Sequence, residues 1–252
     1  IRHMTICTQE LRPDTCRGGL SSHPIYDITP FTMQDYPDKM ACIIWFAGCN
    51  MRCGYCHNPE IIRSKGKYNL DALFTFLKKR QDMLDAVVLS GGEATLYPDI
   101  IKLAQKIKSM GYQIKLDTNG TRPDIIQNMI EKDLVDYIAL DYKAPDYKYN
   151  ALSKHKYFKH FHKSLAFLCQ QNKTEFEIRT TVHTDLLDEQ DILYIINDLE
   201  TLDYKNPYYI QNYHITHEGR SLANMPEQKR KMDIDFLASQ KTEFDLLFRN
   251  FT

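Results

Sequence analysis

A chain of 252 residues can bury one substantial core, so a single domain is expected, and a formal net charge of −1 offers no basic surplus for a nucleic acid. No long uninterrupted apolar run stands anywhere in the sequence, which excludes a helical membrane span and a secretory h-region. Seven cysteines, an odd total with three of them clustered, suit reduced thiols better than a secreted disulfide framework, so the chain reads as cytoplasmic.

Residues 1–24 read as a polar leader in which His3-Met4 looks like a vector junction, and residues 25–252 as one core domain with a C-terminal helix and strand. From about Ile25 onward, short β-branched and aromatic runs alternate with segments of helical spacing. The runs Met40 to Phe46, Ala86 to Ser90, Gln113 to Asp117, Tyr137 to Asp141, Glu175 to Val182 and Tyr208 to Tyr213 predict strands. Leu70 to Met83, Asp99 to Met110, Pro123 to Lys132, Tyr157 to Gln170 and Glu189 to Leu199 predict helices. The crowded Tyr, Lys and His of Tyr142 to Lys163 read first as a solvated helix face. Pro226 to Gln240 and Glu243 to Phe248 read as a last helix and strand. Such alternation means an α/β fold with a parallel sheet and right-handed crossovers, either a barrel or a doubly wound sheet. In both, chemistry belongs at the C-terminal strand ends.

The chemical centre of the sequence is Cys49-Asn50-Met51-Arg52-Cys53-Gly54-Tyr55-Cys56-His57-Asn58, a C-x3-C-x2-C loop. Three close thiolates form a soft-ligand site, and an iron–sulfur cube held by three cysteines leaves one iron open to another ligand. Structural zinc is the alternative, but it wants a fourth protein ligand; His57 follows Cys56 directly and is badly placed for that. Four further segments fall at strand ends. Gly91-Gly92-Glu93 allows close backbone approach and places a carboxylate that can accept from an ammonium. Asp117-Thr118-Asn119-Gly120 is on its own an Asx-capped turn. Asp141 and Lys143 follow the next strand, and Arg179 stands inside an otherwise apolar one, where it needs a carboxylate or a cofactor as partner.

The cysteine spacing resembles that of the radical S-adenosylmethionine enzymes, and the resemblance extends from about Ile25 to His214. It implies a partial (β/α)6 TIM-like barrel. It also implies one [4Fe–4S] cluster on Cys49, Cys53 and Cys56 whose open iron is chelated by S-adenosylmethionine, to be cleaved reductively to methionine and a 5′-deoxyadenosyl radical. The G-G-E segment resembles the family's methionine-binding turn, with Ala94 where proline is common; Tyr55, His57, Asn119 and Arg179 would also face the cofactor. His214, in Tyr213-His214, resembles the family's P-Y-H with Asn212 in place of proline. The C-H-N, D-T-N-G and L-D-x-K segments resemble the pyruvate formate-lyase activating type. There Asp117, Thr118 and Asp141 would bind a monovalent cation and Lys143 would face the substrate. Thr29-Pro30-Phe31 and Asp35 to Lys39 resemble activating proteins of anaerobic ribonucleotide reductase. The implied function is formation of a glycyl radical on that partner, with a flavodoxin- or ferredoxin-type electron donor. A radical enzyme acting on a small molecule, similar to 7-carboxy-7-deazaguanine synthase, and a non-catalytic iron–sulfur or zinc module are the rival expectations. No cysteine lies between Cys56 and Gly91, so a single cluster is expected.

Overall fold

A computed structural model describes residues 23–214, 221–222 and 225–251. The leader, with Cys7 and Cys16, therefore lies outside the described residues apart from His23 and Pro24. The strands are β1 (Ile25–Thr32), β2 (Ala41–Phe46), β3 (Ala86–Gly91), β4 (Gln113–Thr118), β5 (Tyr137–Asp141), β6 (Glu175–Val182), β7 (Tyr208–Asn212) and β8 (Leu246–Arg249). They form one eight-stranded sheet in sequential order. β1 runs antiparallel to β2, and every later neighbour pair is parallel.

Sequential order settles the choice left open by periodicity. A doubly wound sheet reverses direction at a switch point, whereas here each crossover advances the same way and puts its helix on the same face. The helices are α1 (Leu70–Lys78), α2 (Ile100–Ser109), α3 (Pro123–Glu131), α4 (Asp146–Ser153), α5 (Phe158–Gln170), α6 (Glu189–Thr201) and α7 (Ile234–Ala238). The result is an α/β fold of the partial-barrel kind. α2 buries Ile100, Leu103, Ala104 and Ile107, the i, i+3, i+4, i+7 stripe of an amphipathic helix. α6 starts on a capping box made by Asp188 and Asp191.

Alternation along the strands separates two interiors. Ile44, Leu89, Leu116, Leu140 and Ile178 belong to the large core under the helices. The other face carries only a small apolar plug, Tyr36, Ala41, Ile43, Ala86 and Val88. Above that plug this inner face is polar: Lys115, Asp117, Asp141, Glu177 and Arg179.

Three expectations need correction. β1 was not predicted, because Asp27 and Pro30 interrupt its pattern; an edge strand tolerates both, and Trp45 Nε1 donates to Thr29 Oγ1 across the pair at 2.9 Å. The C-terminal helix is only Ile234–Ala238, and the strand after it begins at Leu246. Tyr142 to Lys163 is not simply a solvated face: it holds α4, and Tyr142, Tyr149 and Phe161 are fully buried. No helix among the described residues is long and apolar enough to cross a membrane.

Candidate active site

The C-terminal ends of β2 to β6 surround a cavity of about 250 Å³. Cys49, Cys53 and Cys56 line one side, on the loop after β2; Gly91, Gly92, Glu93, Asp117, Thr118, Asn119, Asp141, Lys143 and Arg179 line the rest, with Tyr55 and His57. Segments scattered over more than a hundred residues thus converge because parallel strands all end on the same rim. His214 does not line the cavity; its ring packs edge-on against His57, with centroids 5.4 Å apart. A larger cleft, about 650 Å³, lies beside Tyr213, Gln228 and Met232 and contains none of the cysteines.

The cysteine loop is seated on β3 by backbone contact. Glu93 N donates to Gly48 O at 2.9 Å, and Gly92 N to Phe46 O at 2.9 Å. A Cβ on Gly92 would overlap the Gly48 carbonyl and press on Cys49 Cβ. What comes close to Gly92 is therefore the cysteine loop itself, and what comes close to Gly91 is the β2 backbone at Trp45 and Phe46, reasons the sequence reading did not supply. Gly91 adds a φ of +118°, which side-chain-bearing residues avoid.

Glu93 has a second unforeseen role. It is 2% exposed. Oε1 accepts from Thr95 N (3.1 Å), Thr95 Oγ1 (2.6 Å) and Thr118 Oγ1 (2.9 Å), and Oε2 accepts from Asn119 N (2.7 Å). Burial raises its carboxyl above the ordinary range, and those donors offset only part of the rise. The carboxylate thus ties the turn after β3 to the turn after β4. Asn119 in turn donates to Asn50 Oδ1 at 2.9 Å, and Asn50 donates to Thr121 Oγ1 at 2.7 Å, so the D-T-N-G turn is joined to the cysteine loop. Gly120, at φ +73°, packs where a Cβ would strike Leu140.

The charged residues pair with one another. Asp117 meets Lys115 at 2.5 Å and Arg179 at 3.7 Å. Asp141 meets Lys143 at 2.9 Å and Arg179 at 3.1 Å. Burial alone would raise the Asp141 carboxyl, but Lys143 and Arg179 outweigh it and hold it below its ordinary range. Burial likewise disfavours the Lys143 ammonium, yet Asp141, Tyr55 and Cys53 hold its pKa well above the usual value. Lys143 is thus a fixed cation and not a proton acceptor. Lys115 was missed by the sequence reading. A lysine between Ile114 and Leu116 is the same signal that singled out Arg179.

The donor chemistry fits an iron–sulfur cube. Among the described residues no three His, Cys, Asp or Glu side chains converge closely enough for a single metal ion. One zinc would require that convergence, while a cube spaces its thiolates across its own corners. Burial pushes the Cys49 thiol up to about 12 and raises those of Cys53 and Cys56, a penalty on the thiolates that a bound metal would offset. Tyr55 is buried with its hydroxyl unpartnered beside the cavity.

A parallel barrel with a three-thiolate loop and ion-paired strand ends is an enzyme fold carrying a cofactor site at its rim. Residues 43–199 match the Radical SAM superfamily, and the chain belongs to it. It is therefore a radical S-adenosylmethionine enzyme, with the [4Fe–4S] cluster and S-adenosylmethionine that define the superfamily. It is 36% identical over 187 residues to a protein of Methanocaldococcus jannaschii named as a glycyl-radical enzyme activating enzyme, covering 71% of this chain and 75% of that one. It is 32% identical over 103 residues to the pyruvate formate-lyase-activating enzyme of Clostridium pasteurianum, covering 38% of each. In fold it is similar to SuiB of Streptococcus suis, with a TM-score of 0.61 at 15% identity over 81% of this chain; the chain spans about half of SuiB, 47%.

Proposed function

We propose that this enzyme activates a glycyl-radical enzyme, abstracting a hydrogen atom from the Cα of one glycine in a partner protein, and that the partner is anaerobic ribonucleotide reductase. The observation that carries the reading is the joining of the C-H-N loop to the D-T-N-G turn through Asn50, Asn119 and Thr121, together with a relative of that name matching three quarters of its own length. The Thr29-Pro30-Phe31 and Asp35 to Lys39 segments support the choice of partner by their resemblance.

Cys49, Cys53 and Cys56 would each hold one iron and leave the fourth open. When bound, the cluster and S-adenosylmethionine supply the 5′-deoxyadenosyl radical. The chain contributes position and charge. Gly92 lets the cysteine loop sit against β3, Gly91 lets β3 close on the end of β2, Glu93 keeps the two strand-end turns in register, and Arg179 and Lys143 face the cavity as fixed cations. His57 fills the rim beside Tyr213; Cys53 is buried, while Cys49 and Cys56 are partly exposed toward the cavity. A flavodoxin- or ferredoxin-type protein is proposed as electron donor. Positive charge beside the two aspartates has two sources, a monovalent ion on Asp117, Thr118 and Asp141, or the chain's own cations. The ion pairs support the second.

The test is anaerobic reconstitution, reduction, and incubation with S-adenosylmethionine and candidate glycyl-radical enzymes. A glycyl signal in electron paramagnetic resonance is expected with anaerobic ribonucleotide reductase and is lost in each Cys→Ala variant. Cofactor cleavage without a glycyl signal on any partner would retire this reading in favour of a small-molecule substrate.

A further inference from the structure

The inner faces of β4, β5 and β6, with Lys143 just beyond β5, hold a cluster of paired charges near the cavity floor. Strand alternation puts Lys115 and Asp117 on the same face, and the β5–β6 register sets Asp141 level with Arg179. Lys115, Lys143 and Arg179 are positive; Asp117, Asp141 and Glu177 are negative. These six balance three against three through their own ion pairs; Glu93, a further acid lining the cavity, is satisfied by its four hydrogen-bond donors.

Each oxygen that would ligate a small ion already accepts from, or donates to, a group of this chain. Asp117 Oδ1 holds Lys115, and its Oδ2 accepts from Ser90 Oγ at 3.2 Å. Asp141 Oδ1 accepts from Arg179 Nε, and Oδ2 from Lys143 Nζ. Thr118 Oγ1 donates to Glu93 and accepts from Gly120 N at 3.1 Å. Lys115 itself is 3% exposed, with its stem in the lumen and its ammonium directed up the strand to Asp117. A buried ammonium with one carboxylate partner costs much to place and is stable only while that pairing holds. The residues do not fit a monovalent ion.

We propose that Lys115 is a built-in substitute for that ion: a positioning residue that neutralises Asp117, leaves Arg179 shared between Asp117 and Asp141, and makes cofactor binding independent of monovalent cations. The proposal rests on the membership that brings S-adenosylmethionine to this cavity and on the reading that Asp117 and Asp141 stand on the cofactor side. It does not rest on the identity of the protein partner. Removing the ammonium leaves a carboxylate facing Asp141 and Glu177 across a poorly screened lumen, which a small cation could enter and neutralise.

The experiment measures S-adenosylmethionine affinity of the anaerobically reconstituted full chain by calorimetry, at constant ionic strength, with tetramethylammonium as the only monovalent cation or with sodium or potassium replacing it. Sodium nuclear magnetic resonance line broadening is the second readout. The wild type is expected to bind equally well in every salt and to broaden no sodium signal beyond non-specific contact. Lys115→Met is expected to bind about ten-fold more weakly in tetramethylammonium, to recover in sodium or potassium, and to broaden the sodium line. Lys115→Met/Asp117→Asn should lose both effects, and Lys115→Arg should behave as wild type. Wild-type affinity that rises with sodium or potassium would overturn the proposal, as would a Lys115→Met protein indistinguishable from wild type in tetramethylammonium. If Lys115→Met loads no cluster, the wild type and Lys115→Arg still decide: sodium binding at stoichiometric level in either refutes the substitution. No partner protein enters the assay, so failure here is separate from failure of the proposed activation.

Discussion

At the scale of single residues, Glu93 shows how one buried carboxylate holds two strand-end turns together at the edge of the cavity. Its four donors are buried, and removing the acceptor leaves them without partners, at about 1–3 kcal/mol for each group that cannot find another. Glu93→Ala is therefore expected to lose roughly 2–4 kcal/mol of stability and to load less iron, because the turns that seat the cysteine loop come apart. Glu93→Gln keeps an oxygen for Thr95 and Thr118 and loses chiefly the Asn119 bond, so it should retain most of the iron. Thermal melts and iron content of both variants check this. An alanine variant with native stability and iron, defective only in cofactor affinity, would show that the carboxylate acts on the ligand directly.

Secondary-structure elements meet at the site through backbone contact, and the junction of β3 with the loop after β2 is the tightest. Gly92 has no space for a methyl group against Gly48 O, and the obstacle is main chain that cannot rotate away. Gly92→Ala should therefore push the loop off the strand, break the Glu93 N to Gly48 O bond, and cost about 1–3 kcal/mol, the usual range for overpacking. Because the displaced segment carries Cys49, the expected signature is reduced iron stoichiometry with unchanged helix content by circular dichroism. Full iron loading at an unchanged melting temperature would mean that the loop is seated by something other than this contact.

Over the whole molecule, residues 225–234 strap the ends of β6 and β7 to α6. Glu189 accepts from Arg230 at 2.7 and 2.9 Å and from Asp233 N at 2.7 Å, while Gln228 reaches Asn212, Tyr213 and Thr184. Burial would raise the Glu189 carboxyl, but Arg230 and the Asp233 N–H outweigh it and bring it below the ordinary range. A depressed folded-state value means stability that is fully present above the unfolded carboxylate pKa of about 4.3 and is lost as pH falls through the folded value. Arg230 is nearly half exposed, so solvent screening limits the contribution to about 1 kcal/mol or less. Glu189→Gln should lower the thermal midpoint by about 2–4 °C near neutrality, a gap that closes below about pH 4. Melting both proteins across that range tests the strap; a gap constant down to about pH 3 would rule out its ionic character.

The sequence by itself determined what is local. Six parallel strands were legible to within a residue or two because buried strands are short β-branched runs, and five helices because their apolar stripe repeats with the turn, although the first ends at Lys78 and not at Met83. The cysteine loop was legible because its three cysteines lie within eight residues of one another. Only the tertiary structure decided what depends on strands meeting side by side: that β1 is a strand at all, that Gly92 is small for the sake of Gly48, that Glu93 joins two turns, and that His214 lies against His57 outside the cavity. Lys115 belongs to the same class. Its place in a strand was visible, but a buried ammonium takes its meaning from the carboxylates that face it. Register and strand order put Asp117, Asp141 and Arg179 within its reach, and no periodicity along the chain records that.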